Sequence, residues 1–217
     1  MTFLTRFRIN PRRRDAQKLL ASPHALHAAV LAGFPDVEPT ADARILWRLD
    51  AEGPRADLYI VSPHRPDLTH LVEQAGWPSL PEWDSRPYEP LLERIRTGER
   101  YAFRLTANPV HSVRTGDDGR GKPRGHVTAA QQEQWLLDRQ DGAGFSTTTT
   151  DGSSSLRVSE RRTLNFRRRE ATVTLRIATY EGVLAVTDRD RFVRTLTHGL
   201  GRAKGYGCGL LTIAPAD

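Results

Sequence analysis

The order of apolar segments constrains this 217-residue chain most, because each half approximates strand, helix, strand, strand, helix, strand on either side of a proline-rich middle. In the first half Phe3, Thr5, Phe7 and Ile9 alternate with polar or basic neighbours, so residues 3–9 read as a strand with one buried face. A basic turn follows from Pro11 to Arg14. A helix then starts with Ser22 as N-cap and Pro23 at its first position, carries Leu26, Ala29 and Val30 at core spacing, and stops at Gly33. Residues 45–49 and 58–61 read as strands, and a helix from Pro66 fades at Gly76. The stretch from Gly76 to Pro90, with prolines at 78, 81, 87 and 90, reads as a linker.

In the second half residues 101–105 read as a strand, and Thr128 with Gln131 makes a capping box for a helix through Trp135 and Leu136. Residues 173–177 and 183–186 read as strands of a hairpin that turns at Glu181 and Gly182. Asp188 caps another helix, and residues 210–213 form the last strand. The expected fold class is α+β, with two tandem ferredoxin-like (RRM-like) domains spanning 1–90 and 91–217. Residues 114–126 and the Ser/Thr tract 146–155 fall outside this order and read as mobile loops.

Composition narrows the function. No window approaches the ~18 consecutive apolar residues of a membrane helix, and the N-terminus lacks a secretory core, so a soluble cytoplasmic protein is expected. The lone Cys208 excludes an internal disulfide and any multi-cysteine metal site. The net charge is +6, yet residues 36–99 carry 13 acidic against 7 basic side chains, so the remainder carries +12. Such asymmetry suits a polyanion-binding surface backed by an acidic face.

Three groups of residues carry candidate chemistry. His24 and His27 lie three apart on one helix and share a face. Spacing alone leaves open a structural pair, a metal pair lacking a third ligand at motif spacing, and two imidazoles serving the proton transfers of phosphodiester cleavage. The second group is the run 157–169, with Arg157, Arg161, Arg162, Arg167, Arg168 and Arg169 against a single glutamate. Arginine's planar fork suits phosphate, and the absence of an RNP1-like aromatic signature favours recognition of a duplex or hairpin by shape. The third group is the run GLGRAKGYGCG from Gly199 to Gly209, which holds five glycines with Arg202 and Lys204 between a helix and the final strand. Gly199, Gly201, Gly205 and Gly207 with the two cations fit a backbone cradle for a phosphate chain better than a linker or a simple turn. There is no GxxxxGK[ST] loop, a single H-x-[ST] triplet at His126, and no compact carboxylate cluster for magnesium.

The glycine run with Leu210 to Pro215 after it, the segment Phe103 to Pro109, the segment Tyr180 to Leu184 and the early His27 helix together resemble the CasE (Cse3) family of CRISPR endoribonucleases. The resemblance covers essentially the whole chain. It implies cleavage of CRISPR precursor RNA beside the repeat stem-loop, without metal or cofactor, by attack of a 2′-hydroxyl that leaves a 2′,3′-cyclic phosphate. It further implies that the enzyme stays on the 3′ hairpin of the mature crRNA and joins other subunits of the Cascade complex. His27 takes the place of the family's catalytic histidine, Arg167 to Arg169 that of its basic hairpin, and the glycine loop lines the RNA path. Where well-known members have a tyrosine three residues earlier, this chain has His24. In the helix's first turn the positive end of the dipole disfavours an imidazolium, so His24 is expected to help deprotonate or position the 2′-hydroxyl. His27 is then the principal acid/base, and Lys204 or Arg202 stabilises the phosphate. The rival readings are a non-catalytic hairpin-RNA-binding subunit and a metal-dependent nuclease.

Overall fold

The computed structural model of the chain describes residues 1–35, 44–79, 83–113, 122–147, 152, 154–168 and 170–216. Its first half contains β1 (Phe3–Ile9), α1 (Arg14–Ala21), α2 (Pro23–Ala32), β2 (Leu46–Glu52), β3 (Arg55–Ser62), α3 (Thr69–Ala75) and β4 (Asp84–Pro87). The alternating strand β1 becomes central because both its edges find antiparallel partners, β3 from Phe3↔Ser62 to Ile9↔Ala56 and β4 from Phe3↔Pro87 to Arg6↔Asp84. With β2 outside β3 the order is β2-β3-β1-β4, the ferredoxin-like arrangement. Phe7, Ile9, Trp47, Leu58 and Ile60 from the sheet pack with Leu26, Val30, Leu68 and Leu71 from the helical layer into one core.

After α4 (Glu89–Leu92) the second half repeats the arrangement. It contains β5 (Arg100–Ala107), β6 (Val110–Val113), β7 (Lys122–Gly125), α5 (Ala129–Ala143), β8 (Phe145–Ser146), β9 (Arg157–Arg168), β10 (Ala171–Val186), α6 (Arg189–His198), a 3-10 turn (Lys204–Tyr206) and β11 (Leu211–Pro215). The sheet runs β11-β5-β10, with β9 and the short β8 both paired to β10. The capping box is present at Thr128 and Gln131, and Asp188 accepts from Arg191 N at the start of α6. Among the described residues, no helix is long and apolar enough to cross a membrane.

Five sequence expectations are corrected. The turn at Glu181 and Gly182 does not exist, because β10 continues through both residues as a 16-residue strand. The chain reverses instead between Arg168 and Ala171, which pair directly. Gly182 is there for close approach: at φ +150°, a Cβ on it would stand 2.2 Å from the Ser155 carbonyl oxygen. The linker from Gly76 to Pro90 contains β4, the missing fourth strand, which has one neighbour and so tolerates Pro87 at its end. The basic turn ends at Arg14, which opens α1, a helix the local pattern hid. Of the loop 114–126, residues 122–125 form β7 and pair with β6, while 114–121 lie outside the described residues. In the tract 146–155, Ser146 pairs with Ala185, while 148–151 and 153 lie outside them.

The halves meet through a shared core and an ion network. Leu46 and Val61 point away from the first core and pack with Phe103, Leu105, Tyr180 and Leu184 of the second. Beside them Arg48, 2% exposed, makes a two-pronged contact with Asp50 at 2.8 and 2.9 Å. It also donates to the carbonyls of Arg104 (2.7 Å) and Leu210 (3.1 Å). Arg104 extends the network to Asp50 (3.6 Å) and Glu181 (3.2 Å), and Arg157 closes it on Glu181 at 2.9 Å.

Candidate nucleic-acid cleavage site

His27 sits where α2, β2, β9 and the glycine loop converge. The local sequence places it: Ser22 Oγ accepts from Ala25 N, Pro23 opens the helix, and Leu26 and Val30 anchor the buried face. This leaves His27 half-buried on the flank and His24 exposed in the first turn. The indole Nε1 of Trp47 donates to His27 Nδ1 at 3.3 Å. The ring of Tyr206, from the 3-10 turn, lies 6.5 Å from that of His27 and 4.8 Å from Phe166 of β9. Burial foremost, then the proximity of His24 and Arg168, holds the His27 imidazolium below the ordinary histidine range.

The glycine loop is built against the protein as well as open to a ligand. A Cβ on Gly205 would lie 3.3 Å from His27 Nε2. Gly207, at φ +77°, would place one 2.6 Å from the Trp47 ring, so only glycine closes the loop over this indole. Gly199 packs on Leu46 and Gly201 on Trp135, which ties the loop to both halves. Lys204 is half-buried, and its ammonium is lowered by burial and then by the charge of Arg44. Arg202 is exposed and bridges to Asn108 through the backbone. Gly207→Ala is expected to cost about 2 kcal/mol through the ring clash and the left-handed backbone, lowering Tm by roughly 4–8 °C in thermal denaturation. An unchanged Tm would show that the loop moves freely over Trp47.

The arginine run divides between the faces of β9. Arg162, Leu164, Phe166 and Arg168 alternate onto the side of Tyr206 and His27. Arg162 and Leu164 line a cavity of about 90 Å³ with Leu20, Pro23, Trp47 and Tyr206. Arg161 faces the other way, donating to Gln132 Oε1 (2.8 Å) and to the Val127 carbonyl. Arg157 belongs to the ion network between the halves, Arg162 pairs with Glu160 at 3.0 Å, and Arg167 is exposed on the Arg161 side. Arg169 lies outside the described residues. Trp47 and Tyr206 against His27, and Phe166 against Tyr206, complete the candidate site, and the sequence alone does not single them out. An aromatic residue inside a glycine run is the one local signal, at Tyr206, whereas Trp47 reads simply as core. Among the described residues no three His, Cys, Asp or Glu side chains gather as a metal site.

The family model described as CRISPR associated protein matches residues 2–215. The chain is 30% identical over 221 residues to the CRISPR-associated endoribonuclease Cse3 of Thermus thermophilus, covering 98% of this chain and 100% of that one. Among solved structures, CRISPR endoribonuclease Cse3 bound to 19 nt RNA matches with a TM-score of 0.82 at 28% identity, over 99% of each chain. Thermus thermophilus Cse3 bound to an RNA representing a pre-cleavage complex matches equally, with a TM-score of 0.82, 28% identity and 99% of each chain. Cas6e from Escherichia coli K-12, at 20% identity and a TM-score of 0.58 over the full length of both chains, shares the fold. The chain therefore belongs to the CRISPR-associated protein family, among the relatives of Cse3 (CasE).

Proposed function

We propose that this protein is an endoribonuclease that cuts CRISPR precursor RNA within the repeat, beside its stem-loop, and remains on the crRNA hairpin as a Cascade subunit. The observation that carries the reading is the setting of His27. In a chain matched end to end by Cse3, a half-buried imidazole stands where an arginine-bearing strand and a glycine loop meet. The reaction needs one proton removed from a 2′-hydroxyl and one delivered to the departing 5′-oxygen, and His24 and His27 are the titratable side chains placed to move them. Lys204 and Arg168 stand nearby to offset charge on the phosphate. The chemistry asks nothing of a metal.

A single-turnover assay on the host's repeat hairpin in EDTA tests the proposal. Cleavage that leaves a 2′,3′-cyclic phosphate and a 5′-hydroxyl is expected. Tight binding without cleavage, with or without added magnesium, would make the protein a non-catalytic RNA-binding subunit, and cleavage abolished by EDTA would make it a metal nuclease.

The strand geometry makes a separate prediction about binding. Arg162→Ala with Arg168→Ala should weaken RNA binding and reduce the slope of log K against log salt by roughly one unit for each phosphate no longer neutralised. Arg157→Ala, whose guanidinium is engaged by Glu181, should change the slope least. Equal slopes for all the variants, measured by filter binding across salt, would remove this face of β9 from the interface.

A further inference from the structure

We infer that Trp47 is a positioning residue for cleavage: its indole holds His27 in the neutral tautomer that carries the proton on Nε2, so the ring meets RNA as a proton donor. The hydrogen bond permits one assignment. An indole N–H donates and has no lone pair in the ring plane with which to accept. Since Trp47 Nε1 points at His27 Nδ1 over 3.3 Å, Nδ1 is the unprotonated acceptor, and the neutral ring keeps its proton on Nε2. That second nitrogen is the one turned toward the glycine loop, 3.3 Å from where a Gly205 Cβ would stand.

The indole has little freedom to leave. Trp47 is 2% exposed, packs in the core of the first half, and is closed over by Gly207 at the ring edge. The bond is therefore set by the packing of β2 against the loop. For Nε2 to accept a proton, the ring would have to shift its own proton to Nδ1 and confront the indole donor to donor. Full protonation meets the same conflict and adds charge beside His24 on its own helix and Arg168 on β9, and the 3-10 turn packed against it carries Lys204 as well as the Tyr206 ring.

The two histidines are thereby given different work. The 2′-oxygen forms its bond to phosphorus as the bond from phosphorus to the 5′-oxygen breaks. His27 Nε2–H hydrogen-bonds the 5′-oxygen as it departs, and as that oxygen takes the Nε2 proton the one released by the 2′-hydroxyl, relayed through His24 and solvent, replaces it, so the ring is neutral before and after the step and no imidazolate is left. Nothing in the strand pattern around residue 47 announces this role. It appears only when β2, α2 and the glycine loop come together.

The catalytic consequence rests on the proposed cleavage reaction, whereas the tautomer does not, and two readouts separate them. Nitrogen-15 NMR of histidine-labelled, full-length protein without RNA reads the tautomer and the titration of His27 directly. The wild type is expected to show the proton on Nε2 near neutral pH. Trp47→Phe should mix the tautomers and raise the His27 pKa toward the ordinary value of about 6.5. In single-turnover assays Trp47→Phe should cleave roughly 10- to 100-fold more slowly at unchanged RNA affinity, and the acid limb of its pH profile should move up with the His27 pKa. Because phenylalanine leaves a gap in a packed strand, a second variant with β-(3-benzothienyl)alanine at position 47 keeps the ring shape, lacks the N–H, and should shift both readouts alike. A wild-type ring protonated on Nδ1, or a tautomer and pKa unchanged in both variants, overturns the inference. A protein with the Nε2 tautomer that cuts no RNA overturns the cleavage reading, and with it the catalytic role of Trp47.

Discussion

His27→Ala lowers single-turnover cleavage of the repeat hairpin by roughly 10²- to 10⁴-fold, the range that a positioned acid/base group contributes, while RNA affinity stays nearly unchanged. The split follows from where the ring sits. It is half-buried beside the glycine loop and its Nδ1 accepts from the Trp47 indole, while the cations of β9 and the loop remain to hold the phosphate chain. The wild-type pH profile carries a second signature. Burial foremost, then the proximity of His24 and Arg168, favours the neutral ring, so its working form persists to lower pH than an ordinary histidine would allow. As pH falls, the ring gains charge and gives up the Trp47 bond, so the rate is expected to drop through a midpoint below about 6.5. Rates equal to wild type in His27→Ala, or an acid midpoint above that value, would remove His27 from the chemistry. Circular dichroism on the variant checks that the loss is not one of folding.

Arg48→Ala is expected to cost about 3–5 kcal/mol, a large loss for a single polar substitution, because it strips the partner from a buried charge. Asp50 is deprived of a two-pronged contact, and the carbonyls of Arg104 and Leu210 of a donor, at the junction of the halves. At this chain length the loss corresponds to a fall in Tm of roughly 6–20 °C. Arg157→Ala, at the exposed end of the same network, should change stability by less than about 1 kcal/mol. If Arg48→Ala unfolded within about 1 kcal/mol of wild type, the network would be decoration on a junction held by Leu46, Val61 and their apolar neighbours alone. Since β2 also carries Trp47, a shifted junction should additionally slow cleavage.

Much of this was legible from local pattern. The strand over residues 3–9, the Ser22 cap with Pro23, the capping box at Thr128 and the Asp188 cap all rest on interactions within a few residues, and all are present. What failed depended on partners distant in the chain. β4 is a short edge strand whose prolines conceal it until β1 supplies a ladder. Glu181 and Gly182 look like a turn until β5, β9 and the Ser155 carbonyl are seen to flank them. The arginines 157–169 read as one basic stretch, yet the pleat sends Arg162 and Arg168 toward His27 and Arg161 toward α5.

The sequence by itself determined the α+β class, the doubled ferredoxin-like order, the basic character of the surface outside residues 36–99 and the family to which the chain belongs. Those properties follow from periodicity, caps, composition and motif, each readable over short spans. Only the tertiary structure decided what His27 faces. Its tautomer depends on a tryptophan of β2, its titration also on an arginine of the other sheet, and its open side on a glycine near the far end of the chain. A hydrogen bond or a charge acts across a few ångströms of space, and no pattern along one chain records which residues folding will bring that close.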